Sequence, residues 1–251
     1  MNPVAIVLGI VIIILAFVLY RFYTSTATAL QTSLISLKTP PQPITSISSA
    51  TSNQYAYGIW LYVNSWDPTV NKVILNHKGT MTIYLMAGQP SLVVDVQMSD
   101  NSTASTVITN NFPLQKWVFI IASLDNQFLD VYLDGKLVKS AKLTNATNVT
   151  FPIIPPATPF LYLGNNNGED QLYNGVSGSG KPPTSTASSS SGFDAYVTYL
   201  YRWTVAMDPG TAWQYYMKGN GQNTILGALN NYGVQMQVLQ NDVVASSYRI
   251  I

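Results

Sequence analysis

The sequence predicts a mainly β protein, an antiparallel sandwich preceded by one apolar N-terminal helix. Three observations predict it. From Gln54 onward, about a dozen short segments alternate apolar and polar residues or are apolar throughout, with polar turns between them. Asp134-Gly135 joins two of these segments, and that dipeptide suits a two-residue hairpin turn in which both residues need positive φ. Val4 to Tyr20 reads VAIVLGIVIIILAFVLY, without a charge or a strongly polar group.

Residues 1–23 are read as a transmembrane anchor. At 1.5 Å per residue, the run from Val4 to Tyr20 covers ~26 Å as a helix, close to the ~30 Å hydrocarbon core of a bilayer. Val4, Leu8, Ile12, Leu15 and Leu19 lie along it, and Arg21 can snorkel to the interface beside Phe22 and Tyr23. A core helix would show a polar face, which this run lacks. A cleaved signal peptide would want a basic start and a shorter apolar stretch. The flanking charges, Arg21 and later Lys38, weakly predict that the large domain faces the cytosol.

Residues 24–53 are rich in Ser, Thr and Pro and are read as a stalk and linker. The helix is expected to run on through Leu30, Leu34 and Leu37, until Pro40, Pro41 and Pro43 end it. Residues 54–251 form the sandwich domain. In Gln54–Val63, one face is Tyr55, Tyr57, Ile59, Leu61 and Val63; the other carries Ala56, Trp60 and Tyr62. A strand apolar on both faces is covered on both. Further strands are expected at Lys72–His77, Met81–Met86, Ser91–Gln97, Ser105–Thr109, Trp117–Leu124, Phe128–Leu133, Lys136–Leu143, Phe160–Leu163, Phe193–Trp203, Val234–Leu239 and Val243–Ile250. Asp208 can cap a short helix that Pro209 enters and Gly219 follows, with Trp213, Tyr216 and Met217 at helical spacing. Residues 174–192 are a low-complexity surface loop.

Four stretches, in order, resemble a known family. They are Tyr55–Val63; the hairpin from Trp117 to Val138 with its Asp134-Gly135-Lys136 turn; Phe160–Gly164; and Phe193–Trp203 followed by Met207–Gly219. The set is similar to the laminin G-type, concanavalin A-like jelly-roll domains, with Ala195 where many relatives have Gly. The resemblance implies a two-sheet sandwich and, in some members, a calcium ion on the loop rim. With the anchor, the absence of cysteine and the Tyr- and Asn-rich composition, the chain also resembles minor capsid or virion membrane proteins of large DNA viruses.

Composition narrows the chemistry. The 251 residues carry 12 basic and 11 acidic side chains, with one His, one Glu and no Cys. No thiol chemistry, disulfide or multi-histidine metal site can be built. Scattered basic residues and a net charge of +1 give no footprint for nucleic acid. Glycosidases of this fold need paired carboxylates about 5–5.5 Å apart in retaining enzymes. The single Glu169 lies in an Asn-rich loop, and Asp130 and Asp134 read as solvent-facing and turn residues. No catalytic residue and no enzyme activity is therefore expected. His77 lacks a nucleophile elbow and reads as a turn or hydrogen-bonding residue.

Two ligand classes stay open. Asn165, Asn167, Glu169 and Asp170 offer hard oxygen ligands for calcium, and turn formation explains the same residues. Trp66, Tyr173 and Trp213 lie near loops as carbohydrate-binding candidates, with core or assembly contacts as the alternative, while Trp60 and Trp117 are assigned to the core. Sequons at Asn101, Asn145 and Asn148 would be modified only outside the cytosol. The leading functional reading is a structural protein: bilayer contact through residues 4–20, and docking on neighbouring capsid or membrane proteins, linking an inner membrane to a virion shell. The alternative is a membrane-tethered, lectin-like module for glycans or host attachment.

Overall fold

A computed structural model describes Gly9, residues 11–16, 27–69, 71–144, 150–164 and 192–220, and the backbone of 235–240 and 243–249. The strands are β1 (Ala27–Gln31), β2 (Ile35–Ser36), β3 (Gln54–Val63), β4 (Lys72–His77), β5 (Met81–Leu85), β6 (Leu92–Gln97), β7 (Thr103–Thr109), β8 (Trp117–Asp125), β9 (Phe128–Leu133), β10 (Lys136–Lys142), β11 (Leu161–Leu163), β12 (Ala195–Trp203), β13 (Gln235–Gln240) and β14 (Val243–Arg249). One helix, α1 (Pro209–Met217), follows β12. The first sheet runs β1-β12-β3-β8-β9-β10, with β2 also paired to β12; the second runs β11-β4-β5-β6-β7. All pairings are antiparallel, as the alternating pattern predicts. β13 and β14 pair only with each other.

The two faces of β3 separate as expected. Tyr55, Tyr57, Ile59, Leu61 and Val63 point between the sheets, where they meet Ile74, Ile83, Val94, Ile120 and Val131 in the main core. Ala56 and Trp60 point outward into a second apolar layer with Phe119, Ile121, Tyr132 and Trp203, covered by Ala212 of α1. The capping of α1 holds in detail: Asp208 accepts a 2.9 Å hydrogen bond from the backbone N–H of Thr211, Pro209 opens the helix, and Gly219 has φ +73°. The Asp134-Gly135 turn has φ of 49° and 75°, the positive pair that a type I′ hairpin requires.

Residues 27–53 differ from the expected stalk. β1 and β2 add to the edge of the first sheet through β12, so the helix does not continue through Leu30 and Leu37. Leu37 is fully buried in the main core, and Ile44 bridges to Leu161. Arg202, itself buried, donates to the carbonyls of Ser48, Ser49 and Ala50. The physical reason is tertiary. An open sheet edge and an unfilled core site outweigh the weak helix propensity of a Thr/Ala/Ser segment.

The register defines two ends. Ala27, Trp203, Ala56, Ser123, Asp130 and Ser140 lie in one row across the first sheet, so β1 begins at the end that carries the β8–β9 turn. We call this the entry end. The Tyr57 hydroxyl lies 3.1 Å from His77 Nδ1, which places the end of β4 and the start of β5 at the same end. The far end carries Val63, Ala195, the start of β4 and the Asp134-Gly135 turn.

Of the expected anchor, Gly9 and residues 11–16 are helical, and Ile12 and Leu15 are more than half exposed, at 59% and 55%. Val4, Leu8, Leu19 and Arg21 lie outside the described residues. Among the described residues, no helix is long and apolar enough to cross a membrane.

The outer layer depends on one residue without a side chain. A Cβ on Gly58 would stand 2.8 Å from two ring atoms of Trp203 and 3.2 Å from Phe119 Cζ. Gly58→Ala should therefore lower the unfolding free energy by about 1–3 kcal/mol, as overpacking does. Urea denaturation of the full chain measures it, and an unchanged midpoint would contradict the packing.

Candidate functional site: a cleft at the far end

Three segments distant in sequence meet where β3 ends, β4 begins and β12 begins. Asn64 and Ser65 continue β3 past its last pairing, and their backbone N–H groups both donate to the Asp194 carbonyl, at 2.9 and 3.4 Å. Their side chains converge on the carboxylate of the same residue: Asn64 Nδ2 at 2.7 Å and Ser65 Oγ at 3.1 Å from Asp194 Oδ2. Lys38 Nζ stands 3.1 Å from the other oxygen, Oδ1. The Asn64 amide, with the Lys38 ammonium and Ser65 hydroxyl behind it, holds Asp194 below the usual carboxylate range despite partial desolvation. Asp194 thus enters the site as a fixed anion.

The opposite wall comes from the β3–β4 loop. Asp67 folds it by accepting from the Thr69 hydroxyl at 2.6 Å and the Thr69 N–H at 2.8 Å, an Asx turn that also keeps Asp67 below its ordinary pKa. Lys72 is buried, with Nζ 3.9 Å over the Trp66 ring and a hydrogen bond to the Asp67 carbonyl. Burial lowers the Lys72 pKa, and the Asp67 carboxylate opposes the shift. Gly192 and Phe193 close the floor of a cleft of about 240 Å³. It offers two carboxylates, Asp67 and Asp194, a hydroxyl and two ammonium groups, Lys38 and Lys72, which can exchange hydrogen bonds with a polar ligand.

Of the sequence-predicted site residues, Trp66 stands behind the cleft lining, half-buried against the main core and under the Lys72 ammonium. Trp213 does not join it. It sits 44% exposed on α1, packed on Gly135 and 5.4 Å from the Tyr216 ring, in the outer layer. Tyr173 and the calcium candidates Asn165, Asn167, Glu169 and Asp170 lie outside the described residues, as do the sequons at Asn145 and Asn148. Among the described residues, no group of three or more acidic or histidine side chains could hold a metal ion. Trp60 is buried as assigned, and Trp117 is half-buried beside it. Asp134 takes a 2.9 Å hydrogen bond from the Phe119 N–H and faces Lys116 at 3.5 Å, as a turn residue does. Sequence reasoning missed Lys72, Asn64 and Asp194. The one available signal was Lys72 itself, a charge directly before the apolar run Val73–Leu75.

A family model described as the concanavalin A-like lectin/glucanases superfamily, of laminin G type, matches residues 38–177, more than half of the chain. The chain belongs to this superfamily. The sandwich resembles the ligand binding domain of botulinum neurotoxin serotype D, solved in complex with N-acetylneuraminic acid. The TM-score is 0.52 at 8% identity, over 77% of this chain and 46% of that one. It also resembles the binding domain of botulinum neurotoxin DC, solved in complex with SialylT, with TM-score 0.50 and 10% identity over 74% and 46%. At such identities the likeness is one of fold, and this chain spans under half the length of either. No curated protein sequence matches it.

A second polar feature of this concanavalin A-like domain lies on the outward face of the five-stranded sheet. Register aligns Tyr162, Asn76, Thr82, Asp95 and Ser105 in one row across five strands. Thr82 donates to Asn76 Oδ1 at 3.1 Å, and Ser105 to Asp95 Oδ1 at 2.6 Å. Asn76, Thr82 and Asp95 are buried. Burial pushes the Asp95 pKa up to about 6 against the pull of the Ser105 and Tyr84 hydroxyls. Burial, with the Arg202 guanidinium, pushes His77 down to about 4.

The two shifts oppose each other in pH. Asp95 is raised, so its contribution is full below its unfolded pKa near 4 and is lost as pH rises through 6. His77 is lowered, so its contribution is present above about 6.5 and lost as pH falls through 4. Asp95→Asn removes one side of the balance. The variant should lose about 2–3 kcal/mol between pH 7 and pH 4, more than the wild type loses. Urea titrations at four pH values read this directly. Parallel profiles would show that Asp95 is not held as a neutral acid.

Proposed function

We propose that this protein is a membrane-tethered, non-catalytic binding module whose far-end cleft recognises glycans. The observation that carries the reading is the cleft. Asp194, fixed by Asn64, Ser65 and Lys38, lines the same cleft as Asp67 and Lys72, with Trp66 beneath the Lys72 ammonium. Carboxylates and ammonium groups fixed side by side suit a sugar, whose hydroxyls donate to the one and accept from the other. A neighbour of the same fold, solved with N-acetylneuraminic acid, supports this ligand class over others. The tether reading draws on the unbroken apolar run at 4–20 and on its exposed helical residues Ile12 and Leu15. Absence of catalysis draws on the single Glu of the chain and on the capture of Asp134 by a backbone N–H.

A structural linker between a membrane and a protein shell is the second reading, and a different surface favours it. β10 is an unpaired sheet edge with Leu137 and Val138 exposed, beside the exposed Trp213 and Met217 of α1. Such a patch suits a neighbouring capsid or membrane protein.

A glycan array probed with the full chain in lipid nanodiscs separates the readings. Binding to one glycan class should weaken about tenfold or more in Trp66→Ala and in Asp194→Ala, and stay unchanged in Trp213→Ala. Absence of binding across the array, with crosslinks from β10 to neighbouring chains in native membranes, would replace the glycan reading with the linker.

A further inference from the structure

The entry end carries an unusual set of side chains. Phe128, Phe151, Ile154, Phe160 and Val205 are each between 39% and 57% exposed. They come from separate stretches of chain that the fold gathers at one end. Phe128 opens β9 opposite Lys142. The Phe151 carbonyl accepts from Ser99 in the β6–β7 turn, and the Ile153 N–H donates to Gln97 at the end of β6. The Phe160 carbonyl accepts from Lys78, directly after β4, and Val205 follows the end of β12. Two lysines flank the set: Lys78, with Nζ 5.8 Å from the Phe160 ring centroid, and Lys142. Asp100 and Asp125 at the tip of this end are both occupied by hydrogen bonds, from Ser102 and from Gln54 and Asn126, while Asp208 caps α1 nearby and Asp130 lies within β9.

Scattered apolar side chains on a surface are ordinary; several of them on the loops of one end, rimmed by lysines, mark a contact surface. The path of the chain says what covers it. β1 begins at this end, and seven residue steps separate Ala27 from Tyr20, the last residue of the apolar run. Fully extended, they reach no more than ~25 Å. β3 alone, nine steps at about 3.4 Å each, spans ~31 Å from the entry end to the far end. A bilayer that holds residues 4–20 therefore lies next to these loops, and the cleft is held away from it. Aromatic rings and lysine stems are the side chains that partition to the headgroup region.

From this we infer that the entry-end loops rest in the bilayer interface, with Phe128, Phe151, Ile154 and Phe160 inserted among the headgroups and the far-end cleft presented away from the membrane. The inference rests on the tether reading above and adds a second, peripheral contact to it.

The chain has no cysteine, so single-cysteine variants label cleanly. Full-length Phe151→Cys, Ile154→Cys and Phe128→Cys, each carrying an environment-sensitive fluorophore, are placed in phosphatidylcholine vesicles containing doxyl-labelled lipid. Ile12→Cys reports the tether, and Thr69→Cys reports the far end. The expected result is loss of fluorescence at 12, 151, 154 and 128, and none at 69. Quenching at 12 with 151, 154 and 128 behaving like 69 overturns the inference and leaves the tether standing. Shielding of the loop labels from an aqueous quencher without doxyl quenching means a protein covers them, and also overturns it. Absence of quenching at 12 removes the tether and this inference together.

Discussion

A sheet that is apolar on both faces must be covered on both, and the whole architecture follows from that constraint. β3 and β8 pair without interruption from Gln54↔Asp125 to Tyr62↔Trp117, and nearly every side chain of the two strands is buried. The five-stranded sheet covers the inner face. The outer face needs a second cover, supplied by α1 and an aromatic layer in which Trp60 stacks on Phe119 at 5.0 Å and on Tyr216 at 5.7 Å, and Trp203 meets Tyr215 edge-on at 4.9 Å. The Tyr132 hydroxyl and the Ser123 hydroxyl tie Met207 down at the start of that cover, at 3.1 and 2.8 Å. Full burial of each such ring is worth about 1.5–3 kcal/mol relative to exposure, so the outer layer is a true second core.

The same constraint explains how residues 27–53 become part of the domain. β12 would be an open edge beside β3, and β1 and β2 close it. Arg202 of β12 is buried with no carboxylate among its hydrogen-bond partners, so its guanidinium must be satisfied by neutral acceptors. Three successive carbonyls, Ser48 to Ala50, supply them at 2.8–3.2 Å. Releasing that segment would strand a buried cation, which makes the attachment stronger than its few apolar contacts suggest.

What the sequence made legible was local. Alternation in Gln54–Val63, the positive-φ pair at Asp134-Gly135 and the Asp208 cap are each decided by neighbours a few residues apart, and the structure matches them. What escaped was decided by register and by distant pairing. The cleft joins Asn64 to Asp194, separated by 130 residues, so no window of sequence contains it. The row from Tyr162 to Ser105 exists only because five strands pair in one register; within β6, Asp95 reads as a lone charge in an apolar run. Segment 27–31 reads as a helix continuation because its edge partner lies more than 160 residues further on. Trp66 and Trp213 look alike in sequence, both near loops, yet one supports Lys72 behind the cleft and the other lies on α1 against Gly135 and Tyr216.

The scarcity of charge acquires a location in this fold. Lys38, Asp67, Lys72 and Asp194 all line one cleft at the far end, although the chain has only 23 charged side chains. At the entry end Asp100 and Asp125 are engaged by neighbouring side chains, and large apolar side chains stand open. Fixed charge is worth most where water is partly excluded and neighbours hold it in place, as at Asp194 and Lys72. An apolar rim is tolerable where another phase covers it. A neutral domain with its polar recognition chemistry at one end and its apolar loops at the other is therefore polarised along its strands. That polarity, more than the net charge of +1, is what distinguishes the two ends of the domain.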